Sequence, residues 1–140
     1  MTFSKVKKIF VVSVLFVFLL SGLIFPIEEA EAALASGNAK YVGQIIASNV
    51  PSGFADYWNQ VTAENSCKWG SVESSRDNMN WGQADMAYNY AKNNGMPFKF
   101  HVLVWGSQEP SWIGSLSESD QRAEVLEWYQ AVANRYPDLE

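Results

Sequence analysis

The stretch WGQADMAYNYAKNNGMPFKFHVLVW, residues 81–105, decides the fold, because the period of its apolar residues changes part-way along it. Trp81, Ala84, Ala87, Tyr88 and Ala91 recur at the three-and-four spacing of one helix face. Gly95 supplies a C-terminal stop and Pro97 bars the helix from resuming. From Phe98 to Trp105 the period becomes two, with Phe100, Val102 and Val104 on one face of a strand and His101, Leu103 and Trp105 on the other. A helix that hands the chain straight to a largely apolar strand is half of a βαβ unit.

Working outward completes the pattern. Upstream, Gln60 to Glu64 reads as a strand with Val61 and Ala63 on one side and Thr62 and Glu64 on the other. Tyr41 to Ala47 is an earlier apolar run bounded by Ser48-Asn49 and Pro51-Ser52-Gly53, and Phe54 to Trp58 begins a short helical or turn element. Downstream, the loop Gly106 to Gly114 leads to a capping-box-like start at Ser117 and Asp120. Val125, Trp128, Tyr129, Val132 and Tyr136 then form a second amphipathic face ending at Pro137-Asp138. The order strand, short element, strand, helix, strand, helix predicts an α/β fold of parallel strands joined by right-handed crossovers. Three such units cannot close a (β/α)₈ TIM barrel, which takes about 250 residues. The expectation is therefore the first three βα units of such a barrel, incomplete in a truncated chain.

The 140-residue chain opens on a different kind of segment. Lys5, Lys7 and Lys8 precede a low-polarity run from Ile9 to Phe25, followed by Ala30-Glu31-Ala32 and Ala33-Leu34-Ala35. Basic, apolar and small-residue regions in that order predict a secretory signal peptide over residues 1–32, with 33–140 as one domain or a piece of one. The competing reading, a membrane anchor, calls for about 20 apolar residues and does not explain the cleavage pattern. A lipid anchor needs a cysteine where Leu23 stands. The expected product is a secreted protein without stable membrane association. The net charge is −5, and isolated Lys and Arg residues offer no basic surface for nucleic acid. With Cys67 as the one cysteine, no disulfide forms within the chain, and the core holds by packing.

Polar residues collect where a parallel α/β fold places its site, beyond the carboxyl ends of the strands. Glu64, Asn65 and Lys68 follow the second strand; Trp105 and Gln108 follow the third, which also carries His101. Each alone has an ordinary explanation: a salt-bridged Glu, a hydrogen-bonded core His, and Trp69, Trp105 and Trp112 as packing. The combination is what a neutral sugar requires. Hydroxyls around a pyranose edge need Glu, Asn, Gln and Lys as polar partners, while its C–H faces stack on indoles. No cofactor is required. One His and one Cys make no credible metal set, and no G-x-S-x-G elbow is present.

These residues carry a resemblance. WNQVTAENSCKWGSVESS, residues 58–75, resembles the second-strand signature of glycoside hydrolase family 10, the endo-1,4-β-xylanases, which runs near F-N-x-V-T-x-E-N-x-M-K-W. FKFHVLVWGSQEPSW, residues 98–112, resembles that family's H-T-L-V-W-H-S-Q-x-P-x-W, and NYAKNNGMPF and RYPDLE are similar as well. The resemblance implies a (β/α)₈ barrel that cuts xylan with retention of configuration. It implies that Glu64, Asn65 and Lys68 bind the xylose one unit from the cleavage point on the non-reducing side, and that His101, Trp105 and Gln108 surround the xylose at that point. Gly106 stands in place of a usual His, and Cys67 in place of a usual Met.

Retaining glycosidases use two carboxyl groups about 5–5.5 Å apart. In the family both are glutamates on later strands, so the resemblance puts them beyond Glu140 and leaves this chain with part of a substrate cleft and no activity of its own. Glu64 then binds sugar, and Glu109 is a loop residue outside the motif. The competing class is a non-catalytic secreted protein whose aromatics hold polysaccharide without cutting it.

Overall fold

The computed structural model describes residues 34, 35 and 37–139; the expected leader, residues 1–32, lies outside the described residues. Three parallel strands form one sheet in the order β1 (Gly43–Ile46), β2 (Gln60–Ala63), β3 (Phe98–Lys99). Gly43 to Ile46 pair in register with Gln60 to Ala63, and Val61 and Thr62 pair with Phe98 and Lys99. A 3₁₀ turn, Phe54–Asp56, joins β1 to β2. The connection from β2 to β3 carries a single helical turn, α1 (Trp69–Val72), and α2 (Gly82–Asn93). A second 3₁₀ turn, Ile113–Ser115, precedes α3 (Glu118–Arg135). Among the described residues no helix is long and apolar enough to cross a membrane.

Local chemistry explains most boundaries. Val61 and Ala63 are buried while Thr62 and Glu64 are partly exposed, the alternation expected of β2. Ala84, Ala87 and Ala91 bury the face of α2 that lies on the sheet, and small side chains let helix and strands approach closely. Gly95 has φ +64°, a left-handed conformation that suits glycine just past a helix. Ser117 caps α3 by accepting the Asp120 N–H at 3.2 Å, and its hydroxyl donates to the Asp120 carboxylate at 2.7 Å. The cap therefore forms, without the reciprocal bond of a full capping box.

Two expectations fail. The third strand stops at Lys99 instead of running to Trp105. Its ladder partner β2 ends at Ala63, where the chain turns away, so residues 100–105 have no edge to pair with. The Leu103 carbonyl accepts instead from the Trp128 indole N–H at 2.6 Å. Tyr129 does not belong to the buried face of α3 either. Glu124, Trp128, Val132 and then Tyr136 fall on a four-residue spacing and are buried, leaving Tyr129 one position round and 42% exposed. Burying Glu124 is tolerable because Arg76 pairs with it, its Nε donating at 2.8 Å.

An aromatic stack holds the layers together. Trp128, fully buried, lies between Trp69 at 5.9 Å and Trp81 at 5.4 Å, with interplanar angles of 9° and 5°. Trp112 and Tyr136 meet the ends of the stack edge-on, a favourable use of the ring quadrupole. The end of α3 is tied to α2 by charge. Arg135 Nε and the Tyr136 hydroxyl donate to Asp85 at 2.7 and 2.9 Å, and Lys92 pairs with Asp138.

Candidate substrate cleft

The site is built on the turn after β2. Glu64 still holds the sheet, its N–H donating to the Ile46 carbonyl at 3.1 Å. The next residues fold into a turn closed by the Lys68 N–H on the Asn65 carbonyl at 3.0 Å, and Lys68 then opens α1. That turn brings the two side chains together: the Lys68 ammonium donates to Asn65 Oδ1 at 2.7 Å. The same ammonium stands over the Trp105 ring, 4.9 Å from its centroid. Residues that sequence motifs assigned to two different sugars are joined at one lysine.

Lys68 is only 7% exposed. A buried ammonium carries three donors and needs them satisfied. One goes to Asn65 and an indole face meets the charge, yet among the described residues no carboxylate pairs with it. Donor capacity therefore remains at the mouth of the site. Beside it, burial first and the Asp85 charge second push the Cys67 thiol up to about 12, so at neutral pH this residue is a small buried hydrophobe.

A glycine brings the second half of the site into place. The Gly70 N–H donates to the Gln108 carbonyl at 3.1 Å, and a Cβ on Gly70 would lie 2.7 Å from that oxygen. Only glycine permits α1 and the 106–110 loop to touch there. Gln108 itself has φ +57°, a left-handed conformation that turns the loop back toward α1. Sequence reasoning did not find Gly70; its placement in the middle of the CKWGS stretch was the one available signal.

The six expected residues separate into three groups. Asn65, Lys68 and Trp105 are in direct contact, and Gln108 adjoins them, sharing one small recess with Lys68 and Trp105. Glu64 lines a neighbouring cleft of about 430 Å³ together with Asn65. His101 is exposed on the extension of β3, and no hydrogen bond or ion pair joins it to the other five. The shared face expected of His101 and Trp105 rested on a strand geometry that ends at Lys99.

Behind the cleft lies a feature the residue pattern did not disclose. Glu73 is buried, accepts from the Trp69 indole N–H at 2.7 Å and the Asp77 N–H at 2.8 Å, and offers its carbonyl to Trp112 at 3.1 Å. Trp112 is thus a support under the cleft, while Trp69 both bonds Glu73 and borders the recess shared by Lys68, Trp105 and Gln108. The carboxylates of Glu73, Asp77 and Glu124 lie within 4.8 Å of one another, the one grouping of metal-ligand type among the described residues. Indole and backbone N–H groups already hold Glu73, and Arg76 holds Glu124, so the cluster reads as structural.

Comparison with known proteins agrees with this architecture. The family model described as "Glycosyl hydrolase family 10" matches residues 29–139. The chain belongs to glycosyl hydrolase family 10. Among curated members of the family, endo-1,4-beta-xylanase B of Cellvibrio japonicus is 46% identical over 100 residues, which is 71% of this chain and 17% of that protein. The structure of a family 10 protein from Paenibacillus barcinonensis superposes with TM-score 0.66 over 76% of this chain and 34% of its own, at 22% identity, and so bears on the fold alone. Xylanase 10B of Thermotoga petrophila RKU-1, solved with xylobiose, gives TM-score 0.58 at 26% identity over 69% of this chain and 33% of its own. These neighbours are (β/α)₈ barrels, and β1 to β3 with their helices are three βα units of that barrel. The chain spans about a sixth to a third of the length of the relatives it matches.

Proposed function

We propose that this chain is the N-terminal part of a secreted endo-1,4-β-xylanase that hydrolyses xylan with retention, and that it supplies the cleft's non-reducing side. Family membership supports the reaction class, and the basic, apolar and small-residue order of residues 1–35 supports secretion. The two catalytic glutamates stand beyond Glu140 in this reading, so the chain alone binds part of the substrate and cuts nothing. Glu64, Asn65 and Lys68 grip the xylose one unit from the cleavage point, and Trp105, Gln108 and His101 surround the xylose at it. The observation that carries the reading is the buried Lys68 ammonium, which joins Asn65 to Trp105 and retains donor capacity for sugar hydroxyls.

The chemistry follows from that placement. Hydrogen bonds made one sugar away from the reacting carbon position it, and part of their energy is expressed only in the transition state. In the full-length protein, Glu64→Ala lowers kcat/KM on xylo-oligosaccharides by the equivalent of about 2–4 kcal/mol, the range for lost hydrogen bonds to a charged group with partners stranded. The loss shrinks on an aryl xyloside, which fills only the central position and does not reach Glu64. Equal losses on the two substrates would show that Glu64 acts through folding or through the chemical step, and the assignment would fall.

A further inference from the structure

We propose that Gly70 is a positioning residue for the reaction: by letting α1 touch the backbone of the 106–110 loop, it holds Trp105 where the ring faces the central sugar. The proposal rests on the reading that Trp105 meets that sugar. Residues 102–109 have no sheet ladder to place them, because β3 ends at Lys99. Among the described residues two hydrogen bonds hold this segment. The Trp128 indole N–H donates to the Leu103 carbonyl at 2.6 Å, and the Gly70 N–H donates to the Gln108 carbonyl at 3.1 Å. Trp105 lies between these anchors, and Lys68, two residues before Gly70, stands 4.9 Å from its ring centroid. The bond that fixes the loop and the ammonium that meets the ring thus come from one short stretch of chain, 68–70.

The glycine is required by the contact and not by the backbone. Gly70 lies within α1 and its φ is not left-handed, so alanine, a strong helix former, strains no torsion there. What alanine meets is the loop: its Cβ would lie 2.7 Å from the Gln108 oxygen, 2.8 Å from the Glu109 oxygen and 2.9 Å from the Glu109 carbonyl carbon. All three are backbone atoms, so no side-chain rotation relieves them. Non-bonded heavy atoms rest about 3.5–4.0 Å apart, and restoring that separation moves the loop backbone by roughly 1 Å. A misplacement of about 1 Å in an active site costs on the order of a hundredfold in rate. Glycine carries no side-chain group for a sugar hydroxyl, and the Gly70 N–H is already given to Gln108, so its effect on the reaction passes through Trp105.

The test uses the full-length protein with a chromogenic aryl β-xyloside and aryl β-xylobioside, both of which occupy the central position. In Gly70→Ala, with a thermal melt to show that the variant is folded, kcat/KM is expected to fall at least about tenfold on both substrates and by a similar factor. In a Trp105→Ala background the same substitution is expected to cost less than about threefold, because the residue it acts through is gone. A smaller loss in the single variant, or a larger one in the Trp105→Ala background, overturns the proposal while leaving the xylanase reading in place. Amide hydrogen exchange of the unsubstituted protein gives a second readout that does not depend on whether the variant folds. A Gly70 bond that favours the sugar-binding position of Trp105 is favoured in return by sugar, so saturating xylobiose is expected to slow exchange of the Gly70 amide. Equal exchange with and without xylobiose overturns the proposal. An unsubstituted protein that releases the aryl group from neither substrate overturns both it and the xylanase reading.

Discussion

Trp128 and Trp105 show what distinguishes the two sides of this molecule. Trp128 is fully buried between Trp69 and Trp81, and its N–H is satisfied by the Leu103 carbonyl. Trp105 is 48% exposed, and its recorded partner is the ammonium of Lys68. On the packing side the carboxylates beside the rings are bonded: Glu73 accepts two N–H groups, Glu124 meets Arg76, and Asp85 meets Arg135 and Tyr136. On the cleft side Lys68 retains donors beyond the one given to Asn65. Satisfied groups stabilise a fold; unsatisfied ones with access to solvent are available to a ligand.

The sharpest way to break this contrast is Trp128→Ala. Removing the centre of a three-ring stack leaves a cavity among residues from α1, α2 and α3, and the expected cost is about 3–5 kcal/mol by denaturant unfolding of the full-length protein. A cost below about 1 kcal/mol would mean that the stack does not hold the layers.

Asp85→Asn tests the charged tie on the same side. The Arg135 guanidinium holds the Asp85 carboxyl below the usual carboxylate range. Its folded value is depressed, so the stability it contributes is present above the unfolded value of about 3.9 and is lost as pH falls through the lower folded value. At pH 7 the substitution is expected to cost about 1–2 kcal/mol. Melting temperatures measured from pH 7 to pH 2 should converge for the two proteins at the acid end. A gap that stays constant with pH would remove Asp85 ionisation from the account.

Trp105→Ala has the smallest expected effect on stability, below about 1 kcal/mol, because half of the indole already faces water. If Trp105 faces the central sugar as proposed, its loss lowers activity of the full-length protein on both xylo-oligosaccharides and an aryl xyloside, since both occupy that position. Stability and activity measured on one preparation separate the two. A melting loss as large as that of Trp128→Ala would place Trp105 in the core.

How far the residues announced all this varies along the chain. The alternation of Val61 and Ala63 against Thr62, and the spacing of Ala84, Ala87 and Ala91, predict their elements because burial on one face requires that period. Residues 100–105 carry a strand pattern and form no ladder, since a strand is completed by a partner and β2 ends at Ala63. Tyr129 looks like its neighbours on α3, and only the position of the sheet and of Trp69 settles which residue turns inward. The six expected site residues are types a sugar requires, and the family resemblance placed them; the strand alternation that put His101 on one face with Trp105 ends before either residue. Glu73 and Gly70 were not legible, because their roles depend on contacts with residues distant in the chain.

Spacing alone therefore settled the parallel α/β class and the two long helices, and composition displayed the functional groups expected of a sugar cleft. Those properties follow from side-chain periodicity and functional groups, which a linear sequence displays in full. Tertiary contact decided which indoles became support and which faced the cleft. It also decided that Lys68 joins Asn65 to Trp105 across a turn and a loop that Gly70 allows to touch. Those outcomes belong to distances between separate elements, and a distance between elements exists only after the layers have packed.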